Sequence, residues 1–177
     1  MTEGEAPSLV DPYGKRGLMV HLAMSAGGII AASPVLSIIN ARTYSSIIQS
    51  DVLPSVRDVH GDAFIFQQDN APPHVARTTL ELFAAESVRL LPWPPMSPDL
   101  NPVENIWAII SARLYKDGKS YGSEAELDDG LCRVIRGIED TVCWNIVHSI
   151  PWRVAAVIFA RGRCLTGPKA KRLVGIK

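Results

Sequence analysis

The sequence predicts an α/β domain, and three observations carry that expectation. Short apolar runs bounded by Gly and Pro alternate with longer segments of helical period, the pattern of strands interleaved with helices. The run Ala63-Phe64-Ile65-Phe66 is apolar throughout, as expected of a strand covered by helices on both faces. A chain of 177 residues, 47% hydrophobic, is long and apolar enough for one core.

Residues 1–16, with Gly4, Pro7, Pro12 and Gly14, are expected to be an irregular lead-in. Residues 17–41 contain no Asp, Glu, Lys or Arg and follow Lys15-Arg16, so a membrane anchor competes for this segment. Gly27-Gly28, Pro34, His21 and several serines break the apolar run, which favours a buried β-hairpin of residues 18–25 and 29–38 turning at Gly27-Gly28. An amphipathic helix follows, with Asn40 or Thr43 as cap, Tyr44, Ile47, Ile48, Val52 and Leu53 at helical spacing, and Pro54 perturbing or ending its first part.

Residues 63–68 form the next strand, and Pro72-Pro73 open a helix that turns Val75, Thr79, Leu82 and Phe83 inward and ends near Ser87. A strand at 88–91 stops at Pro92-Trp93-Pro94-Pro95. Helices over residues 103–115, 123–136 and 140–159 complete the chain, the first with Ile106, Trp107, Ile110 and Leu114 on one stripe.

Overall charge excludes little: Lys+Arg and Asp+Glu are 18 each, yet no acid follows Asp140 while Arg153, Arg161, Arg163, Lys169, Lys171, Arg172 and Lys177 do. Residues 163–177 therefore read as a basic tail, either solvated or in contact with phosphate. Cys132, Cys143 and Cys164 are odd in number and fit no paired metal spacing, so neither a disulfide framework nor a zinc site is indicated.

The stretch QQDNAPPH places Asp69 at a strand end, and Glu104 stands in the first turn of a later helix. In open α/β sheets such positions converge on one crevice at the carboxyl ends of the strands. Two carboxylates repel there unless a cation lies between them, and an oxygen-only donor set suits Mg²⁺ or Mn²⁺. Such a site points to phosphoryl transfer. A turn-forming Asp and a Glu serving the helix dipole account for the same two residues without chemistry.

QQDNAPPH, LLPWPPMSPDLNPVENIW and SIPWRVAAVI closely resemble the catalytic core of the Tc1/mariner transposases, on their Tc1-like branch, over residues 17–162. Thirty-four residues separate Asp69 from Glu104, the spacing that branch has between its second and third catalytic acids. The resemblance implies an RNase H-like mixed sheet flanked by helices, which cuts and rejoins DNA at transposon ends with an acidic triad and Mg²⁺ or Mn²⁺. It makes Asp69 and Glu104 the catalytic and metal-binding acids. Asn70, His74 and Asn101 become candidates for supporting them; capping or local bonds explain Asn70 and His74 equally. Arg113, Lys116, Lys119, Arg161 and Arg163 become candidate DNA contacts, with a solvated surface as the alternative. Further implications are a second copy or a full-length transposase as partner, no membrane, and a nuclear location.

One expected part is missing from the sequence. The family's first acid ends the first, central strand upstream of the hairpin, and residues 1–16 contain no apolar strand ending in Asp-Glu. Asp11, in VDPYG, is a poor substitute. The domain is therefore read as N-terminally truncated, lacking its first central strand and the helix-turn-helix modules that recognise transposon ends. Two functions stay open: a transposase catalytic domain that is inactive alone, or a non-catalytic remnant that binds DNA or a full-length partner.

Overall fold

The fold is built around one strand buried on both faces. A computed structural model describes residues 2–5, 18–35 and 38–162. In it, β2 (Met19–Ser25) pairs antiparallel with β3 (Gly28–Val35) to give the expected hairpin. Val20, Leu22 and Met24 enter one core with Val103, Ile106, Trp107, Ile110 and Leu114 of α4 (Pro102–Leu114). Leu127 and Leu131 of α5 (Glu124–Arg136) and Cys143 of α6 (Asp140–His148) close that core. On the opposite face Ala23 joins Tyr44 of α1 (Ala41–Ile47), Leu53 and Val56 of α2 (Leu53–His60), Phe66 and Phe83 in a second core. Alternation with period two thus sends one strand's side chains into two helical layers.

The hairpin turns at Ala26-Gly27, one residue earlier than expected, and Gly28 takes φ 131° as β3 begins. A Cβ at Gly28 would collide with Asp140 Oδ1, so this glycine also admits the start of α6. Opposite Ala23 and Met24 the register skips Ile30, so β3 carries a bulge near that end.

The lead-in departs from expectation. Thr2–Glu5 is a strand, β1, antiparallel to β2 on the edge away from β3. Its composition gives no strand signal; the open N–H and C=O groups along β2 supply the template instead. Backbone thus occupies a place beside the hairpin, although the strand Thr-Glu-Gly-Glu contains no Asp. Asp11, Arg163 and the basic tail over 163–177 lie outside the described residues.

Other boundaries moved for identifiable reasons. Asn40 caps α1, its Oδ1 accepting from the amides of Arg42 and Thr43 at 3.0 Å each. Pro54 ends nothing: the helix runs through a π-turn over Ile48–Val52, where the Leu53 amide bonds the Ile48 carbonyl five residues back. The widened turn accommodates a proline that has no N–H to give. The strand expected at 63–68 shrinks to β4 (Ile65–Phe66), parallel to β5 (Arg89–Leu90). It is covered on one face only, since Phe66 is buried and Ile65 is 39% exposed.

The helix expected from Pro72 begins at Arg77 and runs as α3 (Arg77–Ala85), leaving Val75 exposed. Side chains have taken the carbonyls that an earlier helix needs: Thr79 Oγ1 donates to Pro73 O at 2.7 Å and Gln68 Nε2 to His74 O at 3.0 Å. The last helix is likewise two, α6 and α7 (Ile150–Phe159), because Pro151 cannot continue the ladder. Residues 140–159 have the length and apolar composition of a membrane span. The break at Ser149 and the buried Arg153, 4% exposed, instead fasten this pair to the domain.

Gly28→Ala is expected to lower unfolding free energy by about 1–3 kcal/mol, through a left-handed φ and a collision with Asp140. Urea denaturation checks it; a midpoint equal to wild type would remove Gly28 as a packing constraint.

Candidate active site

Asp69 and Glu104 reach one crevice from opposite cores. Asp69 follows β4, whose Phe66 packs against Phe83, rings tilted at 41° with centroids 5.1 Å apart, in the second core. Glu104 sits in the first turn of α4, whose apolar stripe fills the first core. Between them lies a cleft of about 260 Å³ bordered by Asn70, Trp93, Pro95, Pro98 and Asn101.

The two carboxylates are tuned in opposite directions. Asp69 Oδ1 meets His74 Nδ1 at 2.7 Å and accepts from the Ala71 amide at 2.9 Å. The His74 contact, against some desolvation and with help from the Ala71 amide, holds Asp69 below the usual carboxylate range. Burial, then the charge on Asp69, pushes Glu104 upward. Both groups line the cleft, so each carboxylate lies in the other's field.

His74 is fully buried, and its ring lies 4.2 Å from that of Tyr44, centroid to centroid. Tyr44 Oη donates to Gln68 Oε1 at 2.8 Å, and Gln68 Nε2 holds the His74 carbonyl. Farther in, His21 packs edge-on to Tyr44 at 5.8 Å. Burial first, then proximity to His74, pushes His21 down to about 3 despite Asp51, so its ring is neutral in this stack. One oxygen of Asp69 is therefore fixed from inside the fold while its side chain stays 41% exposed towards the cleft.

The other sequence candidates take varied places. Asn70 Nδ2 donates to Trp93 O at 3.0 Å, tying the end of β4 to the proline-rich loop. Asn101 is buried and caps α4, its Oδ1 accepting from the Val103 amide at 3.4 Å. Arg113 donates to Gly137 O at 2.8 Å. It lies nine residues along α4 from Glu104, about 14 Å at 1.5 Å per residue. Lys116 and Arg161 are exposed, and Lys119 Nζ sits 4.8 Å above the Tyr121 ring. The structure thus gathers Asp69, Asn70, His74, Asn101 and Glu104 and leaves Arg113, Lys116 and Lys119 at the far end of α4. Sequence reasoning missed Tyr44, Gln68 and Arg153; only their polar character inside apolar segments marked them.

Similarity to known proteins identifies the family. Residues 1–128 match the model of the DDE superfamily endonucleases. The chain belongs to that superfamily, on its Tc1/mariner branch. It is 34% identical over 128 residues to the Tc3 transposase of Caenorhabditis elegans, covering 72% of this chain and 39% of that protein. With the Tcb2 transposase of Caenorhabditis briggsae it shares 33% identity over 150 residues, 85% of this chain and 54% of the relative. The chain therefore spans about half the length, or less, of these relatives. The Mos1 mariner transposase catalytic domain solved with raltegravir and Mg superposes with a TM-score of 0.80 at 20% identity, covering 91% of this chain and 83% of that one. The RNase H-like fold is thus shared, and the match to the family begins ahead of residue 17.

Because the folded protein raises Glu104, the penalty for ionising it is absent below its unfolded range near 4.5. The penalty grows as pH rises through the folded value. With chelator present, Glu104→Gln should therefore match wild type near pH 4 and melt higher at pH 7, as read by thermal denaturation. A Glu104→Gln midpoint at or below wild type at pH 7 would remove the repulsion with Asp69.

Proposed function

We propose that this chain supplies the divalent-metal-dependent DNA cleavage and strand-transfer site of a Tc1-like transposase. The observation that carries the reading is the delivery of Asp69 and Glu104 into one cleft, where Asp69 raises Glu104. The donor set fits Mg²⁺ or Mn²⁺: it is oxygen-only, and its charges repel without a cation. Bound there, the ion would polarise a phosphate oxygen and lower the pKa of a coordinated water. Asp69 would hold it through the carboxylate oxygen that His74 leaves free, and Glu104 from the opposite wall. His74 orients Asp69, Asn70 fixes the strand end to the loop, and Asn101 caps the helix presenting Glu104. The solved Mos1 structures include catalytic domains with Mn and with Mg and a paired-end complex with a left transposon end. In this reading the substrate is transposon-end DNA, the partner a second copy or a full-length transposase, and the compartment, as expected for an enzyme acting on chromosomal DNA, the nucleus. Lys116, Lys119 and Arg161 remain candidate phosphate contacts on the exposed surface, whereas Arg113 already caps the end of α5.

A second reading rests on a specific observation. Among the described residues no group of three or more His, Cys, Asp or Glu side chains is arranged to hold a metal ion. Two acids in the cleft also fit a transposon-derived protein that binds DNA or a full-length transposase without cutting.

The two readings separate in a strand-cleavage assay with Mg²⁺ and Mn²⁺ on DNA bearing candidate transposon ends. Cleavage lost at least 100-fold in Asp69→Ala and in Glu104→Ala supports the enzyme. DNA binding without cleavage supports the second reading, and calorimetry showing no divalent-ion binding at all would sink the metal site.

A further inference from the structure

Residues 99–105 carry Glu104, and a single side chain from outside that segment grips it at both ends. Arg153, on α7, is 4% exposed. Its Nη1 donates to the Asp99 carbonyl at 3.3 Å and to Asn105 Oδ1, while its Nε donates to Ser149 Oγ at 2.8 Å. Ser149 Oγ in turn donates to Ile146 O at 2.6 Å, so the guanidinium is anchored on the break between α6 and α7. Asn105 directly follows Glu104. Asp99 precedes the Asn101 cap, itself bonded through its amide to Pro98 O at 3.1 Å.

We propose that Arg153 is a positioning residue for Glu104, through which the C-terminal helix pair sets where that carboxylate points. The proposal rests on the reading of Glu104 as a metal acid and deepens it.

Three physical points support it. A guanidinium taken out of water loses hydration, and burial accordingly lowers its pKa while Asp99 opposes. Such a group is kept only where its planar fork meets several acceptors at once, as Arg153 does. Second, Leu100 and Val103 are buried, whereas Glu104 is partly exposed at the cleft, so core packing alone leaves the acid's first turn to be fixed from its polar side. Third, the prolines of the loop stiffen its entry, whereas the Asn105 side chain is bonded by Arg153. Arg153 also lies beyond residues 1–128, the part matched to the superfamily model. Residues outside that match therefore help build the site.

The test compares Arg153→Met, Arg153→Lys, Asn105→Leu, Asn105→Asp and Glu104→Ala with wild type in two measurements: Mn²⁺ affinity by electron paramagnetic resonance, and amide hydrogen exchange. Arg153→Met and Asn105→Leu are expected to weaken Mn²⁺ at least tenfold and to speed exchange at least tenfold over residues 99–105. Amides of the β2–β3 hairpin should keep wild-type rates. Asn105→Asp retains an acceptor and should restore both properties, while Arg153→Lys, lacking the fork, should not. Exchange that rises uniformly, or Mn²⁺ affinity within twofold of wild type in Arg153→Met while Glu104→Ala abolishes binding, overturns the proposal. If Glu104→Ala binds Mn²⁺ as wild type does, the metal reading of Glu104 fails, and local exchange alone then decides whether Arg153 holds the segment. Should Arg153→Met fail to fold, Asn105→Leu carries the same comparison.

Discussion

Both halves of the site hang from the burial of β2 on its two faces. Leu22 and Met24 bind the layer that contains α4, and Ala23 belongs to the layer of α1, α2 and β4. Each layer delivers one acid, so the meeting of Asp69 and Glu104 depends on a strand none of whose residues lines the cleft. Alternation fixes this division: a slip of one residue in β2 would exchange its two faces. Gly28 matters for the same reason, since it sets the hairpin close against α6 and so the placing of the whole α4 layer.

Polarity inside the second layer serves the cleft rather than the core. His21, Tyr44 and His74 form a row of rings leading outward from β2, with Gln68 bonded to both Tyr44 and the His74 backbone. Buried polar groups are tolerated when networked, and an apolar substitute for any of them would leave the others without partners. The row ends on Asp69 Oδ1, so the interior constrains one oxygen and leaves the carboxylate's other side to solvent. The same network explains the late start of α3, because it consumes carbonyls that a helix from Pro72 would need.

Much of this was legible in the sequence, and the failures have local causes. The hairpin, the Asn40 cap, the α4 stripe and the pair Asp69 and Glu104 follow from periodicity, capping chemistry and two motif words. Strand β1 did not, because Thr2–Glu5 pairs on the strength of an open edge and not of its own side chains. His74 was read with two alternatives, and only tertiary structure shows that its ring turns inward to Asp69. Arg153 looked like one more member of a basic C-terminal stretch. Two of its acceptors lie 48 and 54 residues away, in the first turn of α4 and the loop before it, which no local rule connects to it.

The opposed tuning of the two acids gives the site its character. His74 and the Ala71 amide favour a charged Asp69, whereas burial and that same charge disfavour ionised Glu104. Groups pushed apart in this way ionise with unlike ease: the fold favours the charge on Asp69 and opposes it on Glu104. In the proposed reading a cation would turn the repulsion from Asp69 into a shared attraction and lower the cost of ionising Glu104. Holding Glu104 in place against that repulsion requires a rigid support, which the folded chain supplies from two directions: the Asn101 cap beneath it and the Arg153 guanidinium beside it. The C-terminal helices are in this sense part of the site, although none of their side chains borders the cleft.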